Sequence, residues 1–446
     1  MNEFPDMDLA QAVAGGGSLA DRVLRPWERT RIDWSFASDA IARELRARPA
    51  LAHRERQFVA ETVYGLIRNL RRVDAALAAG GLRAASRAPD RERLLAYLVL
   101  EAGLPVGVAA RAAPAVDWRA VADVDARIAR ERDPARRLAL RWSLPDWLAA
   151  RLRSDWGDRA EALAAALNRR APMTVRANTL VADRDALAAE LGRDGIASEP
   201  GRWSPTALHV TTRTNLFALA AFRRGAFEAQ DEGSQLIADL VAPPPRGRVV
   251  DVCAGAGGKA LALAAALGGR GRVVAADVDR RKLAELRRRA RRAGATNIQT
   301  VALEPDGEYP APLARLAGRA ARVLVDAPCS GIGALRRNPE ARWRLSEADL
   351  DRLPRLQLAI ARRARELVAP GGRLIYATCT LLRAENEAVV AALLAESPEF
   401  EPMPAKAVWG RDRAAGITGA GGRYLAVNPA DHGTDGFFAA VVRRAR

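Results

Sequence analysis

From residue 246 onward the chain alternates short apolar runs with longer stretches whose apolar residues recur every three or four positions. Runs at 248–252, 271–277, 298–303, 322–326 and 373–377 are rich in Val, Ile and Leu and read as buried strands. Stretches at 258–267, Arg280–Arg292 and about 347–368 read as the helices between them. Such alternation predicts an α/β region with a parallel sheet covered on both faces. Two later stretches, 424–428 and 437–442, are short enough for an antiparallel hairpin at the sheet edge. The first 135 or so residues carry helical periodicity alone, with Val59, Val63, Leu66 and Leu70 on one stripe, and predict an all-α domain. Between 136 and 242 the pattern mixes a helix at 145–153 with strands at 174–178 and 208–212, a small α+β region closed by the stiff Pro243-Pro-Pro245 run. The expected domains are therefore 1–135, 136–242 and 243–446.

Composition narrows the partner. Seventy Lys and Arg against 53 Asp and Glu give a net charge of +17, which favours a polyanion and makes nucleic acid the natural candidate. Lys259, Lys282 and Lys406 are the only lysines, so part of that excess reflects a bias of the chain towards Arg and Ala. Three cysteines without a Cys-x-x-Cys pair, and three histidines, exclude a disulfide framework and argue against a zinc site. An acidic start and the lack of an 18-residue apolar segment predict a soluble cytoplasmic protein with no membrane partner, and a monomer is expected.

Candidate chemistry begins at Asp251-Val-Cys-Ala-Gly-Ala-Gly-Gly-Lys-Ala260, where the first strand of the α/β region meets a helix. A phosphate-binding P-loop would need Gly at Cys253 and Ser or Thr at Ala260, so that reading fails twice. Gly255, Gly257 and Ala260 fit Gly-x-Gly-x-x-Ala, and Asp277 follows at the end of the next strand, placed for ribose hydroxyls. The same arrangement serves a dinucleotide or S-adenosylmethionine, and the loop alone leaves both open.

The cysteines decide between them. Cys329 in Asp326-Ala-Pro-Cys-Ser-Gly331 and Cys379 in Tyr376-Ala-Thr-Cys-Thr380 both follow strand-like runs, where an open α/β sheet keeps its active site. Carbon 5 of cytosine is a poor nucleophile, and an enzyme that methylates it must first add a thiolate to carbon 6. Lys259, Arg336 and Arg337 are available to favour the thiolate. Asp326 is placed to accept from the amino group of a flipped base.

The segments Asp251–Lys259, Asp326–Gly331, Arg336-Arg-Asn-Pro339 with Trp343, Tyr376–Thr380 and Glu385-Asn-Glu387 resemble the successive motifs of the RsmB/Sun-type ribosomal RNA cytosine-C5 methyltransferases. Gln230–Gln235 and His432–Phe438 match as well, and Arg54–Phe58 with Val63–Arg68 resembles the NusB-like RNA-binding domain of the RsmB branch. The resemblance implies a Rossmann-like class I methyltransferase domain, S-adenosylmethionine as cofactor and small-subunit ribosomal RNA as partner. It puts the nucleophile on Cys379, product release on Cys329, and contact with base and cofactor on Asp326. The cofactor would lie against Cys253, Ala254, Gly255, Ala256, Gly257, Gly258, Lys259 and Asp277, and against an acid after the third strand, for which Asp306 is better placed than Glu304. Ala256 and Ala260 depart from the family's usual Pro and Thr, which relaxes the loop without removing its backbone donors. The basic helix Arg280–Arg292 reads as a solvated face. Two other readings stay in view: a DNA cytosine methyltransferase, with Cys329 attacking, and a ribosome-assembly factor that binds RNA with little or no catalysis.

Overall fold

The computed structural model describes residues 6–47, 51–82, 89–305 and 307–446. The chain divides into two compact units, the first comprising Met1–Arg169 and Leu335–Glu347, the second Arg170–Ala334 and Ala348–Arg446. Among the described residues no helix is long and apolar enough to cross a membrane.

The first unit is helical and is organised around His53–Ala79. Val59, Val63, Leu66, Ile67, Val73 and Leu77 of this helix are fully or almost fully buried, which accounts for the periodicity. Gly65 lets the Tyr97 ring lie against the helix backbone, since a Cβ there would stand 1.9 Å from the Tyr97 hydroxyl. The segment 335–347 packs into this unit although it is distant in sequence. Its Trp343 donates from Nε1 to the Ile67 carbonyl at 3.0 Å and packs on the Trp34 ring, while Arg68 donates to the Arg336 carbonyl at 3.1 Å. Arg342 is fully buried and donates to the carbonyls of Trp142 and Ser143 and to Asn168 Oδ1. Burial pushes its pKa down to about 9.

Among the described residues of the second unit two sheets form. The smaller is antiparallel in the order β2-β3-β1-β4, built from β1 (Met173–Ala177), β2 (Ser198–Pro200), β3 (Ala207–Val210) and β4 (Phe227–Ala229). The larger contains β5 (Arg248–Asp251), β6 (Arg272–Asp277), β7 (Ile298–Ala302), β8 (Ala320–Asp326), β9 (Val368–Thr378), β10 (Phe400–Met403), β11 (Leu425–Val427) and β12 (Phe437–Arg444). Its order is β10-β12-β9-β8-β5-β6-β7, with β11 on β12. Strands β5 to β9 are parallel, as the alternation predicts, and β11 and β12 pair antiparallel. β12 also pairs with β9 on one side and with the short β10 on the other. Consecutive residues of each strand enter opposite cores: Val249, Leu324 and Ile375 one, Val250, Val325 and Tyr376 the other.

Chain order reverses at β5, since β6 and β7 extend the sheet to one side while β8 and β9 return on the other. Such a switch point opens a crevice at the carboxyl ends of the strands. Asp251 ends β5 and Asp326 ends β8 at that crevice.

Candidate active site

The loop after β5 needs glycine at two places. Gly255 and Gly257 have φ of +52° and +88°, and a Cβ on Gly257 would lie 1.9 Å from Leu286 Cδ1. The helix Arg280–Arg292 is therefore packed directly on the loop. The Gly255 amide donates to Asp277 Oδ2 at 2.7 Å, and Asp277 Oδ1 accepts from the Asp279 amide at 2.8 Å. Both oxygens brace backbone, and the carboxylate keeps lone pairs for further hydroxyl donors.

Asp251 is 1% exposed and neither of its side-chain oxygens has a hydrogen-bond partner among the described residues. Burial, reinforced by the negative charge of Asp326, pushes its pKa up to about 8. Lys259 Nζ lies 2.7 Å from Asp326 Oδ2 and 5.5 Å from the centre of the Phe437 ring. Burial lowers the lysine's pKa, but the charge and hydrogen bond of Asp326 more than offset that and leave it raised. The cradle thus sets Asp251, Asp277 and Asp326 near Lys259, which pairs with Asp326. Asp277 and Asp326 against Lys259, with the buried Asp251 carboxyl beside them, make a cradle whose donor set fits the hydroxyls and the positive charge of S-adenosylmethionine.

Asp306 lies outside the described residues. Glu304, the alternative acid, is exposed and pairs with Arg280 at 2.8 Å on the surface. The basic helix Arg280–Arg292 presents the expected solvated face with only part of its basic residues. Arg280, Arg281, Lys282, Arg287, Arg288 and Arg291 are exposed, whereas Arg289 and Arg292 turn inward to Glu228 of β4. The cause is packing: β4 and Phe222 cover the last turns of the helix, and Glu228 is buried there.

The two cysteines of the strand-end motifs meet. Cys329 Sγ and Cys379 Sγ are 3.4 Å apart, and the Cys379 amide donates to Cys329 Sγ at 3.4 Å. The contact with Cys379, then burial, pushes the Cys329 thiol well above the usual range. Cys253, the third thiol, is likewise raised, by burial and the neighbouring Asp251. Of the three cations expected to favour a thiolate, Lys259 pairs with Asp326, while Arg336 and Arg337 fall in the segment of the first unit.

Glu385 ties the two thiol loops together. It is 1% exposed, and its Oε2 accepts from the Ser330 amide and from Gln357 Nε2, both at 2.8 Å. Its Oε1 is bonded by the hydroxyls of Ser330 and Thr380, the neighbours of Cys329 and Cys379. Tyr376 donates to the Glu385 carbonyl at 2.6 Å. Sequence reasoning singled out Glu385 only as part of a motif and missed this role, because its partners lie up to 55 positions away. The Gln230–Gln235 and His432–Phe438 motifs also meet: Asp231 Oδ1 accepts from the Asp435 amide at 3.1 Å, and a Cβ on Gly233 would stand 2.6 Å from Phe437 Cδ2. Phe437 of the second motif is the ring that faces Lys259.

Residues 238–443 match the family model described as 16S rRNA methyltransferase RsmB/F, and residues 144–216 match the ferredoxin-like domain model of RsmF/B-like methyltransferases. The chain is 30% identical over 436 residues to a probable ribosomal RNA small subunit methyltransferase B of Synechocystis, covering 92% of this chain and 96% of that protein. A probable ribosomal RNA small subunit methyltransferase B of Bacillus subtilis is 34% identical over 327 residues, covering 70% and 69%. A solved methyltransferase homologue from Pyrococcus horikoshii superposes with a TM-score of 0.60 at 26% identity, covering 70% of this chain and 99% of that one. The chain therefore belongs to the RsmB/F family of ribosomal RNA methyltransferases, an S-adenosylmethionine-dependent family.

Proposed function

We propose that this chain methylates carbon 5 of a cytosine in 16S ribosomal RNA, with Cys379 as the nucleophile and Cys329 as the group that helps release the product. The observation that carries this reading is the 3.4 Å approach of the two sulfurs after β8 and β9, beside the crevice that ends in Asp251 and Asp326.

Addition of the Cys379 thiolate to carbon 6 makes carbon 5 nucleophilic. S-adenosylmethionine, when bound, supplies an electrophilic methyl group. Residues 253–259, Asp277 and Asp326 line the place for it, and Asp251 offers its buried carboxyl to the positive charge. Asp326 holds Lys259 with one oxygen and keeps the other for the exocyclic amino group of the base. Cys329 Sγ lies 3.4 Å from the Cys379 sulfur and accepts from the Cys379 amide, so the two thiols share one site. After methylation the carbon-5 proton passes to water, the C–H electron pair reforms the 5,6 double bond, the carbon-sulfur bond breaks and its electron pair returns to Cys379. Cys329 is the titratable group adjacent to that departing sulfur.

Incubation with 16S RNA and S-adenosylmethionine tests the assignment. Cys329→Ala is expected to accumulate a covalent RNA adduct that survives denaturant, and Cys379→Ala to form none. The opposite pattern exchanges the two roles. Loss of both adduct and methyl incorporation in the wild-type chain would leave RNA binding without catalysis.

A further inference from the structure

Arg289 lies outside the residues that line the cofactor cradle, yet it bonds the loop at its sharpest point. Its Nη1 donates to the Ala256 carbonyl at 2.7 Å. On the other side of the same peptide, the Gly257 amide donates to the Ala254 carbonyl at 2.8 Å. The 256–257 peptide plane is thus fixed through both its oxygen and its hydrogen, at the step where the chain takes positive φ before the helix Gly258–Ala266.

The guanidinium is itself fixed from elsewhere. Nε and Nη2 of Arg289 donate to Glu228 Oε2 at 3.2 and 2.9 Å, and Arg292 pairs with the other Glu228 oxygen. Arg292 also stacks 3.7 Å from the centre of the Phe222 ring. Glu228 is 3% exposed in its side chain, Arg289 18% and Arg292 20%, so these bonds are shielded from water in a way surface pairs are not. Asn178 locks the arrangement by donating to the carbonyls of Gly225 and Ala293, both at 2.8 Å. Gly225 has no room for a side chain, as a Cβ would stand 2.1 Å from the Arg292 carbonyl oxygen.

We propose that Arg289 is a positioning residue for S-adenosylmethionine, oriented by Glu228 of the small sheet so that it holds the 256–257 peptide in its ligand-binding conformation. The small sheet thereby takes part in cofactor affinity through a charge that no cofactor atom touches. The inference rests on the reading of loop 253–259 as the cofactor loop.

The test is calorimetric binding of S-adenosylmethionine to the full chain, with steady-state kinetics in which cofactor and RNA are varied separately. Arg289→Met is expected to raise the cofactor Kd about tenfold, the loss of one charge-assisted hydrogen bond. Glu228→Gln, nearly isosteric and chosen to keep the fold, is expected to raise it several-fold. In both, kcat at saturating cofactor and KM for RNA stay within about twofold of wild type. Glu228→Gln added to Arg289→Met should weaken binding little further, because the two act through one bond. Arg288→Met, on the exposed side of the helix, serves as the unchanged control. Wild-type cofactor affinity in Arg289→Met, or a parallel loss in cofactor Kd, kcat and RNA KM in Glu228→Gln, overturns the proposal. Failure of the wild-type chain to bind S-adenosylmethionine overturns the cofactor reading beneath it.

Discussion

Replacing Glu385 separates what this buried acid does for the fold from what it does for the thiols. Its two oxygens have different partners. Oε2 receives two nitrogen donors, the Ser330 amide and Gln357 Nε2, which cannot reverse their role. Oε1 receives two hydroxyls, from Ser330 and Thr380, which can rotate to accept and already lie 2.8 Å from each other. Glu385→Ala leaves the Ser330 amide and one of the two Gln357 Nε2 hydrogens without a partner at about 1–3 kcal/mol each, the other Gln357 hydrogen staying on the Pro328 carbonyl, while the hydroxyls satisfy one another. With the small cavity added, the expected loss is about 3–5 kcal/mol. Glu385→Gln can set its carbonyl at Oε2 and its amide at Oε1, keeping every bond at the expense of charge, so about 1–2 kcal/mol is expected.

Urea unfolding followed by far-ultraviolet circular dichroism measures both, provided the slope m is unchanged between variants. Adduct formation in the Cys329→Ala background then reads the chemistry. The glutamine variant should still form adduct and the alanine variant should form it far more slowly, since the Ser330 and Thr380 anchors no longer hold Cys329 and Cys379 at 3.4 Å. Equal damage from glutamine and alanine would refute the bond accounting, and an alanine variant within about 1 kcal/mol of wild type would refute the anchoring role.

Three further outcomes follow from the same geometry. Asp251 keeps its proton in the folded chain up to about pH 8 but loses it near 3.8 when unfolded, so the folded state binds the extra proton between those values. Stability from this group therefore falls as pH rises from about 4 to about 8 and is level above, and Asp251→Asn should flatten that slope in thermal melts while weakening S-adenosylmethionine binding; an unchanged slope would remove Asp251 as its source. Gly257→Ala should cost about 2–5 kcal/mol through positive φ and collision with Leu286, and Leu286→Ala in the same chain should relieve only the collision; full rescue would mean φ is not strained. RNA affinity should fall steeply with salt if phosphate contacts use the +17 charge, and a flat response in a filter-binding titration would contradict that.

What the sequence made legible follows physical lines. Strands β5, β6 and β8 and the helix Arg280–Arg292 carry uninterrupted periodicity, and their bounds fall within a few residues of those expected. Strands β2, β4 and β10 have three or four residues each, with Glu or Pro among them, and present no local pattern. The 335–347 segment has no pattern that assigns it to the helical unit, because that membership depends on Trp343 and Arg342 meeting partners 174–276 positions away.

The site divides in the same way. Motif context was enough to bring Cys329 and Cys379 to adjacent strand ends, since β8 and β9 are parallel neighbours and both loops leave at the same edge. Nothing in either motif reveals that a glutamate and a glutamine hold the sulfurs in contact. A charged residue in an amphipathic or loop stretch is ordinarily solvated, and Glu385, Glu228 and Arg289 differ from their exposed neighbours only by what the distant chain brings to them. A buried charge must find its counter-charge or hydrogen bonds inside the protein, and burial is decided by tertiary packing. In this chain those burial-dependent bonds reach the backbone beside Cys329 and at Ala256, so on the proposed reading substitutions at Glu385 and Glu228 are expected to disturb the thiol pair and the cofactor loop, although neither residue takes a direct part in the proposed chemistry.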